Sequence, residues 1–381
     1  MSTAIVWHRN DLRIRDHEAL TYALEQHDRV VPVYCLDPRH FGTTMFDLPK
    51  MSAFRGRFLR ESLQDLRSSY RERGADLVVR QGRPEDILPD LVRQVDAVEV
   101  CLFEEVGSDE KEVEDGVERA LRDTDAMPAY FWGKTLYHAD DVPFDGPNDI
   151  PQVYTQFRKG CEKRSSVRAT LPAPERLPPL PDDLSPGPIP SLEALGFEHD
   201  GVPDERSVLP FEGGETRGLE RVREYIWDRD MLKKYKATRN GLLGADFSSK
   251  FSAWLAHGCI SPRTIYEEVE RYEDQRFDNK STYWMKFELI WRDFFTYVTW
   301  AAGDRLFHPG GIIDNDIDWK YHDESFERWA NGTTGIPFVD ANMRELNQTG
   351  YMSNRGRQNV ASMLSQSLKL DWRMGAAYFE S

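Results

Sequence analysis

Between residues 1 and 165 short apolar runs alternate with amphipathic stretches, and this alternation narrows the possible folds most. AIVW (4–7), VVPVYCLD (30–37), ADLVVRQG, AVEVCLFEE and PAYFWG read as strands. HEALTYAL, the stretch 52–73, EDILPDLVRQV and KEVEDGVERALRD lie between them and read as helices. Within 52–73, Phe54, Phe58, Leu59, Leu63, Leu66 and Tyr70 fall on one side. Strands joined by helical crossovers run parallel and are covered on both faces. The pattern therefore predicts a doubly wound, mostly parallel sheet.

The turn after the first strand, WHRNDLRIRD, holds no GxGxxG, and no GxxxxGK[ST] occurs anywhere. Ordinary dinucleotide and P-loop fingerprints are thus absent. Arg9, Arg13 and Arg15 suit either an anion at the carboxyl edge of the sheet or a solvated or interdomain charge cluster. EEVGSDE (104–110) lies at the same edge and reads first as an acidic helix start.

From 166 to 215 the chain is proline-rich, LPAPERLPPLPDDLSPGPIP, and reads as an irregular connector. From 216 to 381 it reads as helices. SPRTIYEEVERYED opens on Ser261 as cap with Pro262 in the first turn, and Gly332 and Gly350 stand at helix ends. The expected organisation is an α/β domain (1–165), a linker (166–215) and an all-α domain (216–381).

Composition sets limits on function. No apolar run approaches the ~20 residues of a membrane span, and MSTAIVWHRNDLRIRD lacks a signal-peptide pattern. Cys35, Cys101, Cys161 and Cys259 stand far apart, so neither a disulfide framework nor a metal site is expected. A reduced, cytoplasmic chain fits. The formal charge is −16, from 65 acidic and 49 basic residues, which argues against broad attraction to nucleic acid. Two sources fit that acidity: a salt-adapted host or an ordinary acidic enzyme. Under the first, melting temperature rises between low and molar salt as self-repulsion is screened; equal stability in both overturns it.

The chemistry is concentrated between Ser281 and Gln358. Trp284, Phe287, Trp291 and Phe294 recur at helical spacing in STYWMKFELIWRDFFTYVTW, with Glu288 and Arg292 four apart. The last two suit either an i,i+4 ion pair, worth ~0.3–0.5 kcal/mol if exposed, or a polar cavity lined by large rings. Ser248, Ser249, Lys250 and Ser252 precede a short apolar helix, where phosphate or a plain serine cap would fit. Asn354, Arg355, Arg357 and Gln358 open another helix, with phosphate and base edges or solvent as partners. No Ser/His/Asp or Cys/His constellation appears.

WHRNDLRIRD, TRNGLLGADFSSKFSAWLAHGCISPR, FELIWRDFF, GIPFVDANMREL and TGYMSNRGRQNVAS together resemble the photolyase/cryptochrome family. GLLG and SNRGRQ resemble its cryptochrome-DASH branch. The resemblance spans nearly the whole chain and implies an FAD-binding helical domain. It also implies a folate-type antenna such as methenyltetrahydrofolate, near Glu105 or Glu110. By position it implies FAD contacts at Tyr235, Ser248, Ser249, Lys250, Phe251 and Ser252, with Arg292, Asn354 and Arg357 around flavin and ribose. Arg239, Glu288, Trp291, Asn354, Arg355 and Gln358 fall on the DNA side. Glu288 and Asn354 fall where a flipped pyrimidine dimer is contacted, Trp291 offers it an apolar face, and Trp319 and Trp372 match two relay tryptophans. The implied reaction is light-driven dimer repair by electron transfer from reduced flavin, preferably on single-stranded DNA, by a monomer.

One departure stands out. The chain stops at DWRMGAAYFES, where the family continues, so the sequence reads as a shortened member with Tyr378 and Phe379 uncovered. Three readings follow: a repair enzyme, a blue-light photoreceptor without repair, or an inactive truncated chain.

Overall fold

The computed structural model describes residues 2–381. Five strands form the sheet: β1 (Thr3–His8), β2 (Arg29–Leu36), β3 (Val78–Gln81), β4 (Ala97–Phe103) and β5 (Met127–Phe131). All pair in parallel, in the order β3-β2-β1-β4-β5. Helices α1 (Glu18–Gln26), α2 (Ala53–Glu72), α3 (Pro84–Val95) and α4 (Ser108–Leu121) are the crossovers, and α5 (Tyr154–Arg164) follows β5. β1 is buried along its whole length, as a central parallel strand covered on both faces must be. The alternation in sequence is therefore the doubly wound fold it predicts.

The proline-rich segment is irregular and lies along the edge of the sheet. Its Pro186 carbonyl accepts the β3 backbone N–H of Val79 at 2.8 Å and thus covers an otherwise open edge.

The rest is helical: α6 (Glu215–Arg223), α7 (Tyr235–Thr238), α8 (Ser252–Ala256), α9 (Pro262–Gln275), α10 (Lys280–Ala302), α11 (Asp323–Ala330), α12 (Pro337–Thr349), α13 (Asn354–Ser362) and α14 (Trp372–Glu380). The long central helix α10 starts on a full capping box. Asn279 Oδ1 accepts the N–H groups of Ser281 (2.6 Å) and Thr282 (3.1 Å), and Thr282 Oγ1 accepts the N–H of Asn279. None of these helices is long and apolar enough to cross a membrane.

Buried charges join the α/β and helical parts. Asp293, fully buried on α10, accepts the backbone N–H groups of Leu136 and Tyr137 at 2.8 and 2.9 Å. Glu215 accepts those of Ile14 and Arg15, both at 3.0 Å. Asp16 holds Arg263 at 2.6 and 3.0 Å, and Arg13 donates to the carbonyls of Gly258 and Gly133. Arg9 donates to Phe103 O and pairs with Glu114. Of the two readings of the Arg9–Arg13–Arg15 cluster, Arg13 follows the interdomain one. Gly258 sits at φ +64° with Asn10 O only 2.0 Å from where a Cβ would stand, so only glycine lets these backbones meet.

Candidate functional site

A cavity of about 1460 Å³ opens between α10, α13, the loop before α8 and the carboxyl edge of the sheet. Asn10 after β1 and Val106 after β4 both line it. These strands flank the point where strand order reverses, the usual ligand crevice of an open α/β sheet. The volume exceeds the ~300–1,000 Å³ of a site for one drug-sized ligand.

One wall is the loop Ser248–Ser252. Ser248 and Lys250 adopt left-handed backbone, with φ of +68° and +60°. Such geometry costs a non-glycine residue ~1–3 kcal/mol and is held here from behind. Arg221 is the brace: it donates to Ser249 O at 3.1 Å and to Ala245 O at 2.7 Å. The hydroxyls of Ser249 and Ser252 make no hydrogen bond among the described residues, and both residues line the cavity. Lys250 donates to Phe247 O but pairs with no carboxylate among the described residues. Burial, with the Arg221 charge adding to it, pulls its ammonium down to about 8. An ammonium so placed gains from an anion arriving in the cavity.

Opposite this loop lies α13. Arg357 lines the cavity, and its guanidinium lies 4.7 Å from the Phe379 ring. It forms no ion pair among the described residues, and burial lowers its pKa. Asn354 lines the cavity at the start of the helix, its side chain exposed. Tyr235 and Phe251 complete this part of the wall, and Tyr351 lies beneath Lys250 with its ring centroid at 5.7 Å.

On α10 the i,i+4 ion pair does not form. Glu288 pairs instead with Arg239, whose Nη1 lies 2.9 Å from Oε1, and accepts the Trp284 indole N–H at 3.1 Å. Arg292 donates to the carbonyls of Lys134 and Leu255, which draw its guanidinium away from Glu288. Both side chains line the cavity. Burial raises the Glu288 carboxyl pKa, with Arg239 and the Trp284 hydrogen bond opposing.

The structure separates the other sequence candidates from this wall. Trp291 is outside the lining, and one face of its ring stacks on Tyr154 at 3.6 Å and 9°. Arg355 and Gln358 are exposed beyond the lining, where Arg355 donates to Gln358 Oε1 and Asn240 Oδ1, both at 3.0 Å. Trp319 and Trp372 also stand apart, and both indole N–H groups donate to Pro309 O, at 2.9 and 3.1 Å. Tyr378 and Phe379 are not uncovered as their sequence position suggests. They pack on buried Trp329 with centroids 5.6 and 5.5 Å away. Glu105 is buried between Lys134 and Asn10, so each of its oxygens already has a partner.

Other lining residues escaped the sequence. Phe54, Arg55 and Phe58 come from α2, where their spacing reads only as a core face. Phe211 comes from the connector, and His257 from the end of α8. Burial pushes the His257 imidazole down to about 3, so it is neutral. A left-handed φ of +43° at Phe211 is legible only in the fold.

Residues 4–178 match the DNA photolyase family, and residues 284–381 match the FAD binding domain of DNA photolyase. Cryptochrome DASH of Gloeobacter violaceus is 53% identical over 379 residues, covering all of this chain and 75% of that protein. The crystal structure of a cryptochrome from Synechocystis sp. superposes with a TM-score of 0.96 at 46% identity, covering this chain fully and 78% of that one. A class III photolyase from Agrobacterium tumefaciens gives 0.82 at 26% identity, over the whole chain and 76% of its own. The cofactor is FAD, and the wall fits it. Two cations without carboxylate partners and two free serine hydroxyls suit a pyrophosphate, and the aromatic and apolar remainder suits flat rings. The sheet, the helical array, the lining and these matches agree: the chain belongs to the photolyase/cryptochrome family, in its cryptochrome-DASH branch.

Proposed function

We propose that this protein repairs cyclobutane pyrimidine dimers in DNA with light, preferring single strands. The observation that carries the reading is Glu288, a half-buried carboxylate with one oxygen free. It stands in the same cavity as the cationic loop proposed to hold FAD. Reduced FAD, when bound, supplies the light-driven electron that opens the cyclobutane ring and is then returned.

The chain's own residues bind, orient and exclude water. Ser249, Ser252, Lys250 and Arg357 would hold the cofactor's phosphates and polar edge. Tyr235 and Phe251 would cover its rings. Glu288 Oε2 would accept an N–H from a pyrimidine turned out of the strand, and Asn354 would meet its carbonyl. Drawing bases out of a stack costs ~a few kcal/mol, and least when they are single-stranded, which supports that preference. Arg239 in the cavity wall, with Arg355 and Gln358 exposed beyond it, would supply local contacts to the strand despite the net charge of −16.

The test uses protein loaded with FAD and chemically reduced, illuminated with an oligonucleotide carrying one dimer. Recovery of absorbance near 260 nm measures repair, in single-stranded and duplex arms. Glu288→Gln is expected to cut repair about tenfold or more while leaving flavin content unchanged. No repair by the unmutated protein in either arm would sink the reading and favour a photoreceptor. A variant that loses flavin and unfolds would make Glu288 a structural group.

A further inference from the structure

Glu288 is held by one oxygen only. The Trp284 indole N–H, one helical turn earlier on α10, lies 3.1 Å from Glu288 Oε1. Arg239 Nη1 lies 2.9 Å from that same oxygen. Oε2 has no partner among the described residues, and Glu288 faces the cavity. An arginine alone would close on both oxygens as a fork. Here the one hydrogen bond to the carboxylate comes from Trp284 on Oε1, and the shortest Arg239 contact falls on that same oxygen.

The indole is itself held in place. Lys236 Nζ lies 4.1 Å from its ring centroid and the Arg239 guanidinium 5.4 Å. Phe287 stacks on it at 4.6 Å and 26°. Cations and a stacked ring fix the plane of the indole, and its N–H direction with it. Indole is a donor only, so it stabilises the carboxylate without competing for the donor of a substrate. A glutamate side chain carries rotamer freedom that binding has to freeze, and freezing it beforehand favours binding.

We propose that Trp284 is a positioning residue: with Arg239 it holds Glu288 Oε1 and presents Oε2 as the free acceptor for the N–H of a pyrimidine drawn into the cavity. The inference rests on the repair reading above. The lone-oxygen tether has a second effect. Trp284 opposes the upward pull of burial on the carboxyl, and removing its N–H lets that pull increase.

The experiment compares Trp284→Phe, Glu288→Gln and the double variant as FAD-loaded full chains. The probe is a single-stranded oligonucleotide with one cyclobutane thymine dimer, and its dissociation constant is measured between pH 5 and 9. Trp284→Phe is expected to weaken binding about threefold to tenfold with the flavin-to-protein ratio unchanged. The acid limb of its binding profile should move to higher pH, because a Glu288 protonated on Oε2 presents an O–H donor there in place of the free acceptor. In the Glu288→Gln background the same substitution should cost nothing further. An equal loss in both backgrounds, or an unmoved acid limb, overturns the proposal and leaves Trp284 a packing residue. Lys236→Ala loosens the indole from the outside and should shift the profile the same way by less. If Trp284→Phe does not fold, an unshifted Lys236→Ala overturns the proposal. If Glu288→Gln itself binds the dimer normally while lesion-free DNA binds more weakly, the substrate role of Glu288 fails and this inference falls with it. A Glu288→Gln defect without a Trp284→Phe defect defeats the inference alone.

Discussion

Ser249→Ala with Lys250→Ala is expected to weaken FAD binding about 100-fold. The estimate takes one charge-assisted bond at ~1.5–3 kcal/mol and one neutral bond at ~0.5–1.5 kcal/mol. The left-handed turn should survive, because Arg221 grips its carbonyl groups at Ser249 and Ala245 rather than the two side chains removed. Binding should also depend on pH in a definite direction. Burial holds the Lys250 ammonium down to about 8, and a bound pyrophosphate raises that value. Affinity is therefore greatest below pH 8 and falls as pH rises above it, until the raised value in the complex is passed. The double variant should lose this slope. Fluorescence titration of flavin-free protein with FAD between pH 6.5 and 10 measures both effects. Stoichiometric flavin in the dialysed double variant would refute the placement of the phosphates on this loop.

Asp293→Ala should destabilise the fold by about 2–6 kcal/mol. It strands two buried backbone N–H groups, those of Leu136 and Tyr137, each at ~1–3 kcal/mol. Burial raises the Asp293 carboxyl to about 7, against ~3.9 in an unfolded chain. A folded value above the unfolded one means that the proton is bound more tightly in the native state. This group's contribution is thus fully present below about pH 4 and is lost as pH rises through 7. Urea unfolding of the two proteins between pH 4 and 8 tests it. The gap between them should be widest at the acid end; a gap below ~1 kcal/mol throughout would show that the docking does not depend on this carboxylate.

The sheet was legible because burial on both faces writes itself as short apolar runs, and the crossovers as amphipathic ones. α10 was legible for the same reason. Its side-chain partners were not. Spacing put Arg292 beside Glu288, yet the carbonyls of Lys134 and Leu255 draw the guanidinium off, and Arg239 from another helix takes its place. Periodicity says which residues share a face, not what stands across from them. Trp291 shows the same limit: the spacing places a ring on the helix surface, but not that Tyr154 from α5 stacks on one face of it. The Ser248–Ser252 loop and Asn354 and Arg357 could be read because their residue types cluster in sequence. Phe54, Arg55, Phe58 and Phe211 could not, since only the fold brings α2 and the connector to the cavity.

The charged joints between the two halves have a consequence for synthesis. Asp16 and Arg13 leave the ribosome some 245 residues ahead of their partners Arg263 and Gly258. At roughly 5–20 residues per second that is a delay of about 12–50 s. During it a nascent sheet domain carries Asp16 without its arginine, and Arg13 with its bonds to Asp16 O and Gly133 O but not the one to Gly258 O, at the surface that will later be sealed. Water can solvate them, so early folding of the sheet is tolerated. The apolar surface around them has no such substitute, and surface of that kind is prone to aggregate while it stays exposed.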